Sequence, residues 1–414
     1  MTNAVAASGA TIGLSHVNIP AWPQSPALTQ GPVTEDSVPA AARISITDLL
    51  DHGAHLRAGQ KVLLVAYLDG LYGGDNLVDR QAIHWILHAI EQRGNAVEVL
   101  WVDEPARMHA WEFPDVVRKA MDRSDLVINH SFDLTMEEIL AFRRYVEHEH
   151  SNVPVVRNFA TTAPLLCSTW AQTPQELVSE IRYQASQLIQ PGLAWTLTDP
   201  NGTHLQGIVM PSRMGGKYAV RREQSNTYLP WPEWICPPIV STATSGQFTF
   251  DRMLSWWSRY IGIPPYFDQP VTLKIQDNRI VEITGGMEAD AIRRFLASLQ
   301  ERLGESTYDF DALHFGVHPH ARVSPQQCPS ILYRRLIEHS DTHNLHVHVG
   351  SGKATASYPY WPHITGDIRH ATFRIGDNLI LDQGNLTALT NPAVIAVAAK
   401  YPGRPGLGPE PFQG

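Results

Sequence analysis

The 414-residue chain has no run of about 18 uninterrupted apolar residues, the length a helix needs to cross a bilayer. It also has no basic-then-apolar leader at its start, so the expectation is a cytoplasmic protein without membrane contact. Cysteine is scarce. Cys167, Cys236 and Cys328 lie too far apart for a disulfide framework or a Cys-x-x-Cys metal site, which suits a reducing compartment. The net charge of −9 comes with no basic stripe, which argues against nucleic acid as a partner. Tyr72-Gly-Gly-Asp has neither the G-x-G-x-x-G order nor a Walker lysine, so no nucleotide loop is read there, and no His-Glu-x-x-His spacing occurs.

Histidine, by contrast, is plentiful and clustered. Of 19 histidines, seven fall in Leu313-His-Phe-Gly-Val-His-Pro-His320, Leu345-His-Val-His-Val-Gly350 and Pro362-His-Ile-Thr-Gly-Asp-Ile-Arg-His370. A lone strand histidine is ordinarily a surface or hydrogen-bonded core residue. A cluster drawn from three segments suits a metal centre instead, because imidazole is the commonest ligand for Zn, Cu, Fe and Ni. His346 and His348 stand at i and i+2, on one face of a strand.

A hydrophobic content of 43% is ample for a large core, divided by pattern into an arm and two domains. Residues 1–40, rich in Ala, Pro, Ser, Thr and Gly, read as an extended arm that wraps a partner subunit, hence the expectation of a homo-oligomer. Residues 41–190 read as α/β. Lys61 to Tyr67, Ala96 to Val102 and Asp125 to His130 are apolar strands, alternating with helical patterns at Ala82 to Gln92 and Phe113 to Asp122, a βαβαβ unit with a parallel sheet. A helix is expected over Leu134 to Glu147, a strand at Val153 to Arg157, and then a helix to about Ser186 with Thr173 as N-cap and Pro174 at its first position. His130 ends the third strand, at the sheet edge where α/β proteins bind ligands; it is a candidate acid or base, or equally a cap for the following helix.

From about Leu193 short period-two strands with Gly, Pro and Asn turns take over. They predict an antiparallel, β-rich domain over 191–414 that carries the metal ligands, with one helix over Met287 to Leu303 and a hairpin turn at Gln276-Asp-Asn-Arg279.

Three stretches resemble a known family: Arg279 through Gly285-Gly-Met-Glu-Ala-Asp to Leu296, then Leu313-His-Phe-Gly-Val-His-Pro-His-Ala-Arg322, then His363-Ile-Thr-Gly-Asp-Ile-Arg369 before a strand and Gly-Asp-Asn. They resemble the 2,5-dihydroxypyridine 5,6-dioxygenases, mononuclear iron(II) enzymes of the thermophilic leucyl aminopeptidase (aminopeptidase T) superfamily, over roughly residues 55 to 390. Where the peptidases carry a glutamate before a Gly-x-Gly turn the dioxygenases carry a histidine, and this chain has His314. The resemblance implies a ring-cleaving dioxygenase acting on a hydroxylated (hetero)aromatic substrate with O2 and Fe(II). It makes His314 and His363 metal ligands and His130 an acid–base residue, with His318 a further candidate catalytic group.

The chain departs from the family two residues after His363. The family's His-x-Asp places a carboxylate there, and this chain has Thr365. Asp367 is the nearest replacement ligand; His370, Glu233 or water are the others. Trp231, Trp234, Tyr358, Tyr360 and Trp361 are candidate walls of a flat pocket, or ordinary packing residues. Glu233, in Tyr228-Leu-Pro-Trp-Pro-Glu233, resembles a peptidase metal-binding glutamate. It motivates an alternative, a metallohydrolase using Zn, Mn or Co with Glu233 as base or ligand. Thr365 motivates another, a non-catalytic member with an altered site.

Overall fold

The computed structural model describes residues 38–67, 80–102, 119–130, 153–158, 161–213, 215–219, 234–254, 258, 261–328, 331–350 and 364–408. Almost all of the expected arm, the whole of the expected helix at 134–147, Tyr72-Gly-Gly-Asp, Glu233 and His363 lie outside these residues, as do Trp231, Tyr358, Tyr360 and Trp361. Among the described residues no helix is long and apolar enough to cross a membrane.

The first half forms a parallel sheet of β1 (Lys61–Tyr67), β2 (Ala96–Val102), β3 (Leu126–His130) and β4 (Val155–Arg157), in the order β2-β1-β3-β4. Its apolar runs are continuous because both faces are covered. Val62, Leu64, Ala66, Leu126, Ile128 and Val156 join the main core, while Leu63, Val65, Val127 and Val155 face Ala120 and Met121. The helix Arg80–Glu91 presents Ile83, Ile86 and Ile90 at helical spacing and buries all three. Each such side chain removed from water stabilises the fold by about 1.5–3 kcal/mol.

The helix Gln175–Gln187 starts one residue later than the sequence suggests. Pro174 is its N-cap, and its first backbone N–H, on Gln175, donates to Asp48 Oδ2 at 2.8 Å. A buried carboxylate 127 residues away thus does the capping, and Thr173 donates to Thr169 O to close the preceding turn instead.

The second half is a single antiparallel sheet of 11 strands. These are β5 (Ala194–Thr198), β6 (His204–Val209), β7 (Ile239–Met253), β8 (Tyr266–Gln276), β9 (Arg279–Thr284), β10 (Phe310–Phe315), β11 (Leu345–Val349), β12 (Ile364–Ile368), β13 (Thr372–Ile375), β14 (Asn378–Asp382) and β15 (Asn385–Leu386). The β8–β9 turn falls where expected. Asp277 and Asn278 both have positive φ, 46° and 63°, the pattern of a two-residue hairpin whose twist matches its strands. The helix Met287–Leu303 also falls where expected.

The 15-residue strand β7 is long enough to pair with β6 and β8 and also with two strands near its opposite ends. Val240 and Ile239 meet Ala312 and Leu313 of β10, while Met253 and Arg252 meet Gly366 and Asp367 of β12. Since β10 pairs with β11 and β11 with β12, the four strands close a circuit. Closure leaves no free edge there, and it holds the three histidine- and aspartate-bearing strands in fixed register.

Candidate metal centre

Register decides which side chains meet. His314 of β10 stands opposite His346 of β11, which stands opposite Asp367 of β12; in the next row His348 lies between Ala312 and Thr365. Paired residues share a face and neighbours along a strand alternate, so both rows point the same way. Leu313, Phe315, Leu345, Val347, Ile364 and Ile368 therefore point to the other face, where all are buried.

Gly366 sits between Thr365 and Asp367 for a reason of packing. The stacked rings of Phe248 and Phe250 press on it so closely that an added Cβ would lie 2.6 Å from Phe250 Cδ2. A backbone freedom that turns Asp367 inward is not needed, because the strand pleat already does so.

The polar face is itself inside the protein. His314, His346, Thr365 and Asp367 are buried and His348 is half-buried. The ring of His314 lies 4.8 Å from that of His346 and 4.5 Å from that of His348, with His346 and His348 5.2 Å apart. A fourth imidazole, His339, stacks 3.6 Å from His346. It arrives from the end of the helix Ile331–Glu338 and is covered edge-on by Trp234 at 5.7 Å.

Two overlapping groups have ligand atoms within 4.8 Å of one another: His314, His346 and His348, and His339, His346 and Asp367. His314 Nδ1–H donates to Ile235 O at 2.8 Å, which sets the tautomer with the lone pair on Nε2. The segment supplying that carbonyl is itself fixed, with Ile235 N–H donating to Phe315 O and Trp234 bridging Gly316. His346 Nδ1 is buried and has no hydrogen-bond partner. Burial, and then the crowd of His339, His314, His348 and Arg335, holds the His346 pKa well below its usual 6.5. It is therefore a neutral imidazole with an unpartnered ring nitrogen, the form in which histidine binds metals. A buried, polar, multi-imidazole patch with an unpartnered ring nitrogen fits a divalent transition metal.

Asp367 has a different set of partners. Its Oδ2 accepts from His339 Nδ1 and from Asn344 Nδ2, each at 2.8 Å, and it pairs with the fully buried guanidinium of Arg335; its Oδ1 has no partner. Burial lowers the Arg335 pKa to about 10, so the group remains a cation at neutral pH. Arg335 and His339 are one helical turn apart, joined by a His339 N–H to Arg335 O bond at 3.1 Å, and both reach the same carboxylate.

The remaining expected site residues are placed elsewhere. His130, at the end of β3, is fully buried, with Nδ1 2.8 Å from Thr161 Oγ1 and Nε2 without a partner; burial lowers its pKa to about 3. His318 follows the end of β10, packs on Trp170 at 6.3 Å and accepts from the His320 N–H. Burial, and then His320, holds it at about 3 as well. It anchors the turn after β10 and is not in the imidazole stack. His370 turns the chain between β12 and β13 with φ 58°.

The i, i+2 spacing sets His346 and His348 on one face without fixing a ligand role for them, and His339, Arg335 and Asn344 stand outside the segments the sequence singles out. The one available signal was the i, i+4 spacing of Arg335 and His339. It is uninformative without knowing that Asp367 lies opposite.

The model of the 2,5-dihydroxypyridine 5,6-dioxygenase family matches residues 108–328, more than half of the chain, including β10 with His314. Among solved structures, a 2,5-dihydroxypyridine dioxygenase from Pseudomonas putida KT2440 superposes with a TM-score of 0.56 at 13% identity, covering 86% of this chain and 99% of that one. At that identity the likeness speaks for the fold. No curated protein matches. With the family model covering more than half of the chain, from ahead of β3 through the first histidine-bearing strand, the chain belongs to the 2,5-dihydroxypyridine 5,6-dioxygenase family.

Proposed function

We propose that this protein is an iron(II)-dependent dioxygenase that opens the ring of a hydroxylated heteroaromatic compound such as a dihydroxypyridine. The observation that carries the reading is the buried imidazole patch on β10 and β11, in a chain whose family acts on such rings. Bound there, iron(II) would supply adjacent coordination positions at which an ionised ring oxygen and O2 can meet.

The protein's own contributions follow from its geometry. The closed circuit of β7, β10, β11 and β12 holds the imidazoles in place before substrate arrives, so little ordering remains to be done on binding. Ile235 fixes the tautomer of His314, and Trp234 covers His339 with an apolar ring that limits water. His130, buried and neutral at the end of β3 and outside the imidazole patch, is the residue to which this reading assigns the substrate's proton.

The test is oxygen uptake by anaerobically iron-loaded protein given dihydroxypyridines and, separately, catechols. Stoichiometric O2 consumption with ring opening, absent in His314→Ala, is the expected result. Iron-loaded protein that consumes no O2 with any of these substrates contradicts the proposal.

A further inference from the structure

Thr365 occupies the position at which the family pattern puts a carboxylate ligand, and its hydroxyl is fully buried without a hydrogen-bond partner. A site that has lost a ligand must either lose the metal or take a donor from a neighbouring position. The register shows which donor is at hand. The residue directly opposite Thr365 is His348, on the same face, with Cβ atoms of such pairs about 4.5–5.5 Å apart. Its imidazole already lies against His314, and with His346 the three bring their ligand atoms within 4.8 Å of one another.

Asp367, one pleat further along, is a carboxylate with other commitments. Its charge is matched by Arg335, and one oxygen receives His339 and Asn344 as well. Drawing it onto a metal would weaken its hold on a fully buried guanidinium, an arrangement that is costly to disturb.

We propose that this chain holds its metal in a centre of three imidazoles, His314, His346 and His348, in which His348 replaces the carboxylate that Thr365 lacks. The proposal rests on the metal-dependent reading above. A three-histidine site leaves open positions for substrate and keeps the full dipositive charge of the ion. It therefore takes ring substrates as oxyanions, and small anions such as azide, more tightly than a site with a carboxylate in it.

Cobalt(II) titration of metal-free protein, followed by visible absorption, reads the ligand set without any turnover. His348→Ala should weaken cobalt binding by more than about 100-fold, beyond the 10–100-fold typical of groups that only support a ligand. Adding Thr365→Asp to that variant should restore binding to within about 10-fold of wild type, because the carboxylate returns to its family position; a merely structural role for His348 gives no such rescue. Thr365→Asp alone should lower azide affinity for the cobalt form. The paired change Arg335→Met with Asp367→Asn removes the buried ion pair as a unit, so that neither partner is left uncompensated, and should alter cobalt affinity by less than about 10-fold. Undiminished binding in His348→Ala together with loss in the paired variant would overturn the proposal in favour of Asp367 as ligand. Failure of the Thr365→Asp rescue in folded protein would overturn it too. Absence of cobalt binding by the wild-type chain would instead remove the metal-dependent reading itself.

Discussion

The strands β5 and β6 and the strands β10 to β12 follow the same period-two alternation and put it to opposite uses. In β5 and β6 the buried residues Trp195, Leu197, Leu205 and Val209 alternate with residues that stand in water. In β10 and β12 every residue is buried, and in β11 all but one, although His314, His346, His348, Thr365 and Asp367 take the alternate positions that would face solvent in an ordinary amphipathic strand. Closing the circuit through β7 and covering the face with His339, Arg335 and Trp234 turns a polar outer surface into a polar interior. Burial then does what water would prevent. It keeps His346 neutral, leaves its Nδ1 without competition and makes the Arg335–Asp367 pair consequential.

Substitutions at matched positions in the two regions separate these uses. Asp367→Ala leaves the buried Arg335 cation uncompensated and should cost about 3–5 kcal/mol in urea unfolding, whereas Thr196→Ala on the exposed face of β5 should stay within about 0.5 kcal/mol. Similar small effects at both positions would mean that the β12 face is hydrated in solution.

Acid should expose the buried imidazoles outside the metal patch. His130 and His318 titrate in the folded chain at about 3, against 6.5 unperturbed. Below pH 6.5 the unfolded chain binds protons that the folded chain refuses, so stability falls as pH drops from 6.5 toward 3. At pH 5 each group contributes a loss of about 2 kcal/mol. The fall in unfolding free energy between pH 7 and pH 5 should therefore shrink by about 2 kcal/mol in His130→Asn. An unchanged fall would show that His130 is accessible to protons in the folded state.

A small effect should also be seen at Thr365. Replacing its unpartnered buried hydroxyl by the methyl of valine should be neutral or stabilising by up to about 1 kcal/mol. A loss greater than about 1 kcal/mol would show that the hydroxyl is hydrogen-bonded in solution.

The same contrast explains what could be read from the sequence. The parallel strands β1 to β3, the helix Met287–Leu303 and the β8–β9 turn follow from local signals: apolar runs, helical spacing, and Asp-Asn at two positive-φ positions. The pairing of His314 with His346 and of His348 with Thr365 does not, because residues 32 and 17 positions apart in sequence have no local signal that fixes their register. The shared face of His346 and His348 was legible from i, i+2 spacing. That this face is buried, and that Arg335 claims Asp367, depends on closure of the sheet by β7 and on a helix packed from elsewhere. Thr173 shows the same limit on a smaller scale, since the cap of the following helix is supplied by Asp48 from far upstream.

The central claim is that the buried imidazole face of β10 and β11 holds a metal ion, and His346 is its most direct probe, being common to both groups of ligand atoms and bearing a bare, buried ring nitrogen. Elemental analysis of anaerobically purified wild-type protein and of His346→Ala, each confirmed as folded by circular dichroism, measures it. About one transition-metal ion per wild-type chain and nearly none in the variant is the predicted result. Equal metal content in the two proteins, or none in the wild type, would contradict it.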